Sequence, residues 1–115
     1  MARLTSKTEK GIPAPVMDYI VSVLQETYFG EVVLVAQDGS LIQVEHTKKL
    51  RVDAWKEAES SQIEWTTQRE KKLRERIGSE FSALSYGRLA ITVQQGKIKQ
   101  MNRLEMQRFI DGDGI

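Results

Sequence analysis

The chain repeats itself, and nothing else in it constrains the fold as strongly. Slid by 57 residues, IVSVLQETYFGEVVLVAQDGSLIQ from Ile20 aligns without a gap on IGSEFSALSYGRLAITVQQGKIKQ from Ile77. Ile20 meets Ile77, Ser22 meets Ser79, Leu24 meets Phe81, and Phe29-Gly30 meets Tyr86-Gly87. Gln37, Gly39 and Gln43 meet Gln94, Gly96 and Gln100. A duplication requires each copy to form the same supersecondary unit, and it lets the two units bury their apolar surfaces together.

Each copy reads as helix, strand, turn, strand. In the first, Pro15 suits an opening helical turn, where its missing N–H costs nothing. Met17, Ile20, Val21, Leu24 and Tyr28 follow at helical spacing. In the second, Leu73, Ile77, Phe81 and Leu84 form the stripe. Gly30 and Gly87 are expected to end the helices in a left-handed conformation. Asp38-Gly39 favours a two-residue type I′ turn. That turn sets Ala36 opposite Leu41 and Leu34 opposite Gln43. One face then carries Val32, Leu34, Ala36 and Leu41, matched in the second copy by Leu89, Ile91, Val93 and Ile98, and this is the face the helices should cover. The other face carries Val33, Val35, Ile42 and Val44 in the first copy, against Ala90, Thr92, Lys99 and Met101 in the second. A hairpin apolar on both sides is usually buried on both sides, so the back of the first hairpin calls for a cover.

The expected architecture is an α+β fold: two αββ repeats forming a four-stranded antiparallel sheet, helices on one face, and a helical insert between the repeats. Residues 1–13 read as a disordered tail, 14–52 as the first repeat, 53–72 as the insert, 73–109 as the second repeat and 110–115 as a flexible tail, all within one domain. In the insert, Asp53 is a candidate cap for a short helix carrying Trp55. Ser60 or Ser61 is a candidate cap for a longer helix running on into the second repeat. Trp55 and Trp65 are available to cover the back of the first hairpin, and a second chain is the alternative cover. The interaction face is therefore drawn around Val33, Val35, Ile42, Val44, Trp55 and Trp65.

Composition excludes several functions. Seventeen basic and sixteen acidic residues leave a net charge of +1, which argues against a strongly basic nucleic-acid binder but leaves room for local patches. No cysteine is present, so disulfides and thiolate chemistry are excluded, in keeping with a reducing interior. The basic N-terminal stretch lacks the apolar core of a signal peptide, and no run approaches the ~18 apolar residues of a membrane span. No nucleophile elbow or phosphate loop is visible. His46 is the single histidine and has neither cysteine nor a second histidine to share a metal. The DGDG stretch at Asp111–Gly114 lacks the spacing and closing glutamate of a calcium loop. No catalytic residue, metal site or cofactor is expected.

The run from Arg69 to Arg76 holds five basic and two acidic residues, with Arg69, Lys72 and Arg76 on one helical face. Lys48, Lys49 and Arg51 follow the first hairpin. If the two clusters share a surface, nucleic acid becomes a candidate partner. Over residues 53–76, six positive and six negative charges balance, and a solvated face is the plainer reading.

The first copy resembles the YezD-like small bacterial proteins, a domain without an assigned function. The resemblance rests on Tyr28-Phe29-Gly30, on VVLVAQDGSLIQVE from Val32 to Glu45, and on the Thr47-Lys48-Lys49-Leu50-Arg51 tail. The second copy departs from it, with Gln95-Gly96 at the turn and Arg103-Leu104-Glu105 for the basic tail. The resemblance implies a bacterial, cytoplasmic setting and no activity. Members of that family are little more than one unit, and a lone hairpin is marginal in water. Such units would have to pair, and a tandem copy makes the pairing intramolecular, with pseudo-twofold symmetry. The expectation is a non-catalytic protein-interaction or regulatory module, acting as a homodimer or with a protein partner and away from membranes. The alternative is a nucleic-acid-binding regulator using the two basic clusters.

Overall fold

Two helices lie over one face of a four-stranded antiparallel sheet, in a computed structural model that describes residues 11–54 and 64–107. In chain order the elements are α1 (Ala14–Glu26), β1 (Phe29–Gln37), β2 (Ser40–Lys48), a 3-10 turn (Val52–Ala54), α2 (Thr67–Ser82), β3 (Tyr86–Gln94) and β4 (Lys97–Glu105). The sheet order is β2-β1-β3-β4, so the first strands of the two repeats pair with each other at the centre.

That central pairing defines the symmetry. Val33 and Ala90 match under the 57-residue offset and also stand directly opposite each other in the β1–β3 register. The local twofold axis therefore passes between them. Reciprocal hydrogen bonds repeat across it: the Gly39 N–H donates to the Ser85 carbonyl and the Gly96 N–H to the Tyr28 carbonyl, each at 3.0 Å.

The turns form as the dipeptides dictate. Asp38 and Gly39 have φ of 55° and 76°, and Gln95 and Gly96 repeat this at 54° and 75°, the two left-handed residues of a type I′ turn. The core follows the expected stripes. Ile20, Val21, Leu24, Val32, Leu34, Ile77, Phe81, Leu84, Leu89, Ile91 and Val93 are all at most 2% exposed.

Four expectations change, the last of them the strand register. Gly30 and Gly87 do not end helices. The helices stop earlier, before Thr27 and Ala83, and both glycines sit inside strands. A Cβ on Gly30 would run into the Thr47 carbonyl oxygen, and one on Gly87 into that of Leu104, so close backbone approach selects glycine. Tyr28 consequently lies past α1 and packs edge-on against Phe29 at 5.0 Å. The second change concerns the helix after the insert. It is capped by Thr66, whose hydroxyl accepts from the Arg69 N–H at 3.1 Å, not by Ser60 or Ser61, which lie outside the described residues. Residues 64–66 are non-helical, so the insert does not run continuously into α2. Third, the stretch before α1 is in part structured: the Gly11 N–H donates to the Gly39 carbonyl at 2.8 Å, pairing Gly11 with Ser40.

Register carries the largest consequence. Ala36 stands opposite Leu41 as the turn requires, but Leu34 faces Val44, because the pairing slips by one residue between Val35 and Ala36. Ile42 is the extra residue of a β-bulge, and from Gln43 onward every side chain of β2 is on the opposite face from the one a regular hairpin would give it. The same slip occurs between Thr92 and Val93, with Lys99 as the extra residue.

Candidate functional site

The bulges redistribute the residues predicted for the interaction face. Val44 joins the helix-covered side and packs against the core, as Met101 does in the second repeat. Val33 and Val35 stay on the open face, but the sheet covers them with its own side chains. Glu45 on β2 and Arg88 on β3 flank β1, and they form an ion pair at 2.9 Å. That contact crosses β1 over Val33 and Val35, and the Gln43 amide donates to Glu45 at 2.6 Å beside it. Val33 is accordingly buried and Val35 half-buried. Within the described residues the cover is the aliphatic stems of this charged pair.

At the Gln94 end of the open face, Phe29 is buried with the Arg51 guanidinium 5.1 Å from its ring centroid. Arg51 also pairs with Asp53 at 3.3 Å. At the other end, Ile42 is 55% exposed, Leu104 58% and Met106 50%. Ile42 and Met106 face each other across a hollow that Val35, Tyr86 and Arg88 also line. Leu104 stands opposite Arg88 on the same face. Leu104 and Met106 escaped the sequence reading because the unbulged register would have put their strand out of phase.

Trp65 lies on the other side of the sheet, half-buried against the core between α2 and β4. It therefore does not cover the first hairpin. Trp55 lies outside the described residues. Around Trp65 a trough of about 500 Å3 opens between the first turns of α2 and the start of β4. Arg69, Lys72 and Arg76 form its helical wall, and Lys97 and Lys99 its strand wall; Leu73, Ile98 and Met101 form an apolar floor. Arg69 donates to the Glu64 carbonyl at 3.1 Å, and Arg76 pairs with Glu80 at 3.3 Å. Among the described residues no carboxylate lines the trough, and none pairs with Lys72, Lys97 or Lys99.

The two predicted basic clusters do not meet. Lys48, Gly30, Val93 and Ile98 form one row across the sheet, so Lys48 and the trough share an end of the sheet but occupy opposite edges. Three strand spacings separate them, about 14 Å. Lys97, and Lys99 from the expected back face, join the cluster that Arg69, Lys72 and Arg76 begin. The repeat offset held that signal. The first-copy counterparts of these five cations are Ile12, Pro15, Tyr19, Ser40 and Ile42, none of them charged.

Away from the trough, ion pairs and hydrogen bonds tie elements together. Glu70 accepts from Arg74 at 2.8 Å and from the Gln25 amide at 3.2 Å, and Arg74 reaches Asp18 at 2.8 Å, tying α2 to α1. The bond from Arg74, then that from Gln25, holds the Glu70 carboxyl below its usual range, while Glu70 and Asp18 raise Arg74. His46 Nε2 lies 3.0 Å from the hydroxyl of buried Thr27, which itself donates to the Val23 carbonyl at 2.7 Å. With the hydroxyl proton so used, His46 Nε2 is the donor. No group of three metal-binding side chains occurs among the described residues, and no helix there is long and apolar enough to cross a membrane.

Fold and surfaces together define a tandem αββ scaffold with a helix-covered face, an open face and a basic trough. The chain belongs to the family of uncharacterised small proteins designated DUF2292, whose model matches it twice, at residues 16–52 and 73–109. The two matches are offset by the same 57 residues and cover more than half of the chain. No curated protein and no solved structure matches it.

Proposed function

We propose that this chain is a non-catalytic protein-interaction module that pairs with a second copy of itself through the open face of its sheet, in a bacterial cytoplasmic setting. The observation that carries the reading is the cluster of Ile42, Leu104 and Met106, three large apolar side chains at least half exposed on one end of that face. Large apolar side chains left exposed along one end of a sheet face mark association sites. The face also carries both signs of charge, in Glu31, Glu45 and Arg88, so it can complement itself under a twofold rotation.

The dimensions support a pair. Four strands of nine residues present a face roughly 30 Å long and about 19 Å wide, near 600 Å2 per protomer. Two such faces bury about 1,200 Å2, at the lower edge of specific interfaces.

Light scattering at high micromolar concentration tests this directly. The expected mass is twice the 13.1 kDa of the chain. Ile42→Glu combined with Leu104→Glu should return a folded monomer, since neither side chain belongs to the core. A wild-type chain that stays monomeric refutes the reading.

A further inference from the structure

We infer that the trough between α2 and β4 binds a single-stranded nucleic acid, its phosphates on the two cationic walls and a base stacked on Trp65. The site is centred on Trp65 and the first turns of α2, at the β4 edge of the sheet.

Four observations converge there. Five cations from two elements distant in sequence surround one concavity whose described lining holds no carboxylate. In a chain of net charge +1, that local excess is produced by placement and not by composition. The internal repeat supplies a comparison within the same molecule. All five positions are uncharged in the first copy of the same αββ unit, where Ile12 precedes the helix and the other four lie in the matching elements, so the fold itself does not require the cations. Trp65 is half-buried, held by the core on one side and open on the other, as a stacking platform must be. Finally, the N-terminal end of the 16-residue helix α2 opens beside the trough and adds the positive end of its dipole.

Shape and spacing select the ligand. Arg69, Lys72 and Arg76 extend along about 10 Å of helix at 1.5 Å per residue, a length that matches about three stacked nucleotides. Lys97 and Lys99 run alongside on the strand wall. Cations spread along two walls of an open trough suit a polymer of phosphates better than one phosphate group. An aromatic side chain among them suits bases that are free to stack, as in a single strand.

The test is a fluorescence titration of the full chain carrying Trp55→Phe, which leaves Trp65 as its one tryptophan. The titrant is a mixed-sequence RNA or DNA strand of about 12 nucleotides. Expected are saturable quenching and a slope of log affinity against log salt of about −3, from four or five phosphate contacts. Lys97→Glu with Lys99→Glu should weaken binding at least ~10-fold, because both lysines are exposed and their replacement reverses two contacts. Lys48→Glu with Lys49→Glu, on the far edge, should change it by less than about twofold while altering net charge equally. Three results overturn the inference: no saturable binding at low salt, equal loss from both pairs of reversals, or unchanged Trp65 fluorescence on binding. Stronger binding to duplex, to polyglutamate or to anionic lipid vesicles than to the single strand also overturns it.

Discussion

Two glycines in this chain should respond to the same substitution with opposite signs. Gly87 stands opposite Glu105 in the β3–β4 ladder, where a Cβ would collide with the Leu104 carbonyl oxygen. The strand must then part from its neighbour at that end. Parting loses about two ladder hydrogen bonds at ~1 kcal/mol each, among them the bond from the Met106 N–H to the Tyr86 carbonyl at 2.8 Å. Residual backbone strain adds about 1–2 kcal/mol. Gly87→Ala should therefore cost roughly 3–4 kcal/mol, from a total stability of about 6–17 kcal/mol for a chain of this length. Gly78, in the middle of α2, has no atom within 4 Å of where its Cβ would be. Gly78→Ala removes backbone freedom from the unfolded chain and should stabilise by about 1 kcal/mol. Urea denaturation followed by circular dichroism measures both, and in thermal melts the first should lower the midpoint by roughly 12–16 °C. The reasoning fails if Gly87→Ala costs less than about 1 kcal/mol, or if Gly78→Ala destabilises. The former would mean that glycine is not there for the close approach of β4.

Two further substitutions test the bulge. Val44→Asp places a carboxylate against the core and should cost about 2–3 kcal/mol of folding stability, whereas Ile42→Asp should leave stability unchanged within ~0.5 kcal/mol; a regular hairpin would make the two equivalent, and paired urea titrations distinguish the cases. The link from Glu70 to Arg74 and Gln25 predicts a pH dependence. Because the folded carboxyl lies below its reference value of 4.5, its contribution is fully present above that value and is lost as the pH falls through and below it. Hydrogen exchange in α1 should quicken over that range in the wild type, and Glu70→Gln should flatten the response; an unchanged profile in the variant would remove Glu70 from the cause.

Much of this fold is legible in the sequence because it is written twice. The stripe from Ile20 to Leu24 and its echo from Leu73 to Leu84, the Asp38-Gly39 and Gln95-Gly96 turns, and the alternation of Val32, Leu34 and Ala36 all depend on local pattern, which periodicity reports well. The bulge was not legible. Leu41, Ile42 and Val44 are all apolar, so the sequence is compatible with either register, and only the packing of Val44 under the helices decides between them. Gly30 illustrates a different limit. A glycine after a helical stripe has the same sequence signature whether it ends the helix or admits a neighbouring carbonyl, and the neighbour, Thr47, is seventeen residues away. The trough was half legible. Arg69, Lys72 and Arg76 share a helical face by spacing alone, but Lys97 and Lys99 join them only through tertiary placement. Lys48, Lys49 and Arg51 belong to the opposite edge for the same reason.

The axis between Val33 and Ala90 has a consequence for how such a molecule can change. In a pair of identical chains, every substitution appears twice, and a cation useful in one trough must be tolerated in the other. Joining the two units in one chain counts each substitution once. Ile12, Pro15, Tyr19, Ser40 and Ile42 can then pack and associate while their counterparts Arg69, Lys72, Arg76, Lys97 and Lys99 carry charge, and a backbone that remains symmetric presents a surface with a direction.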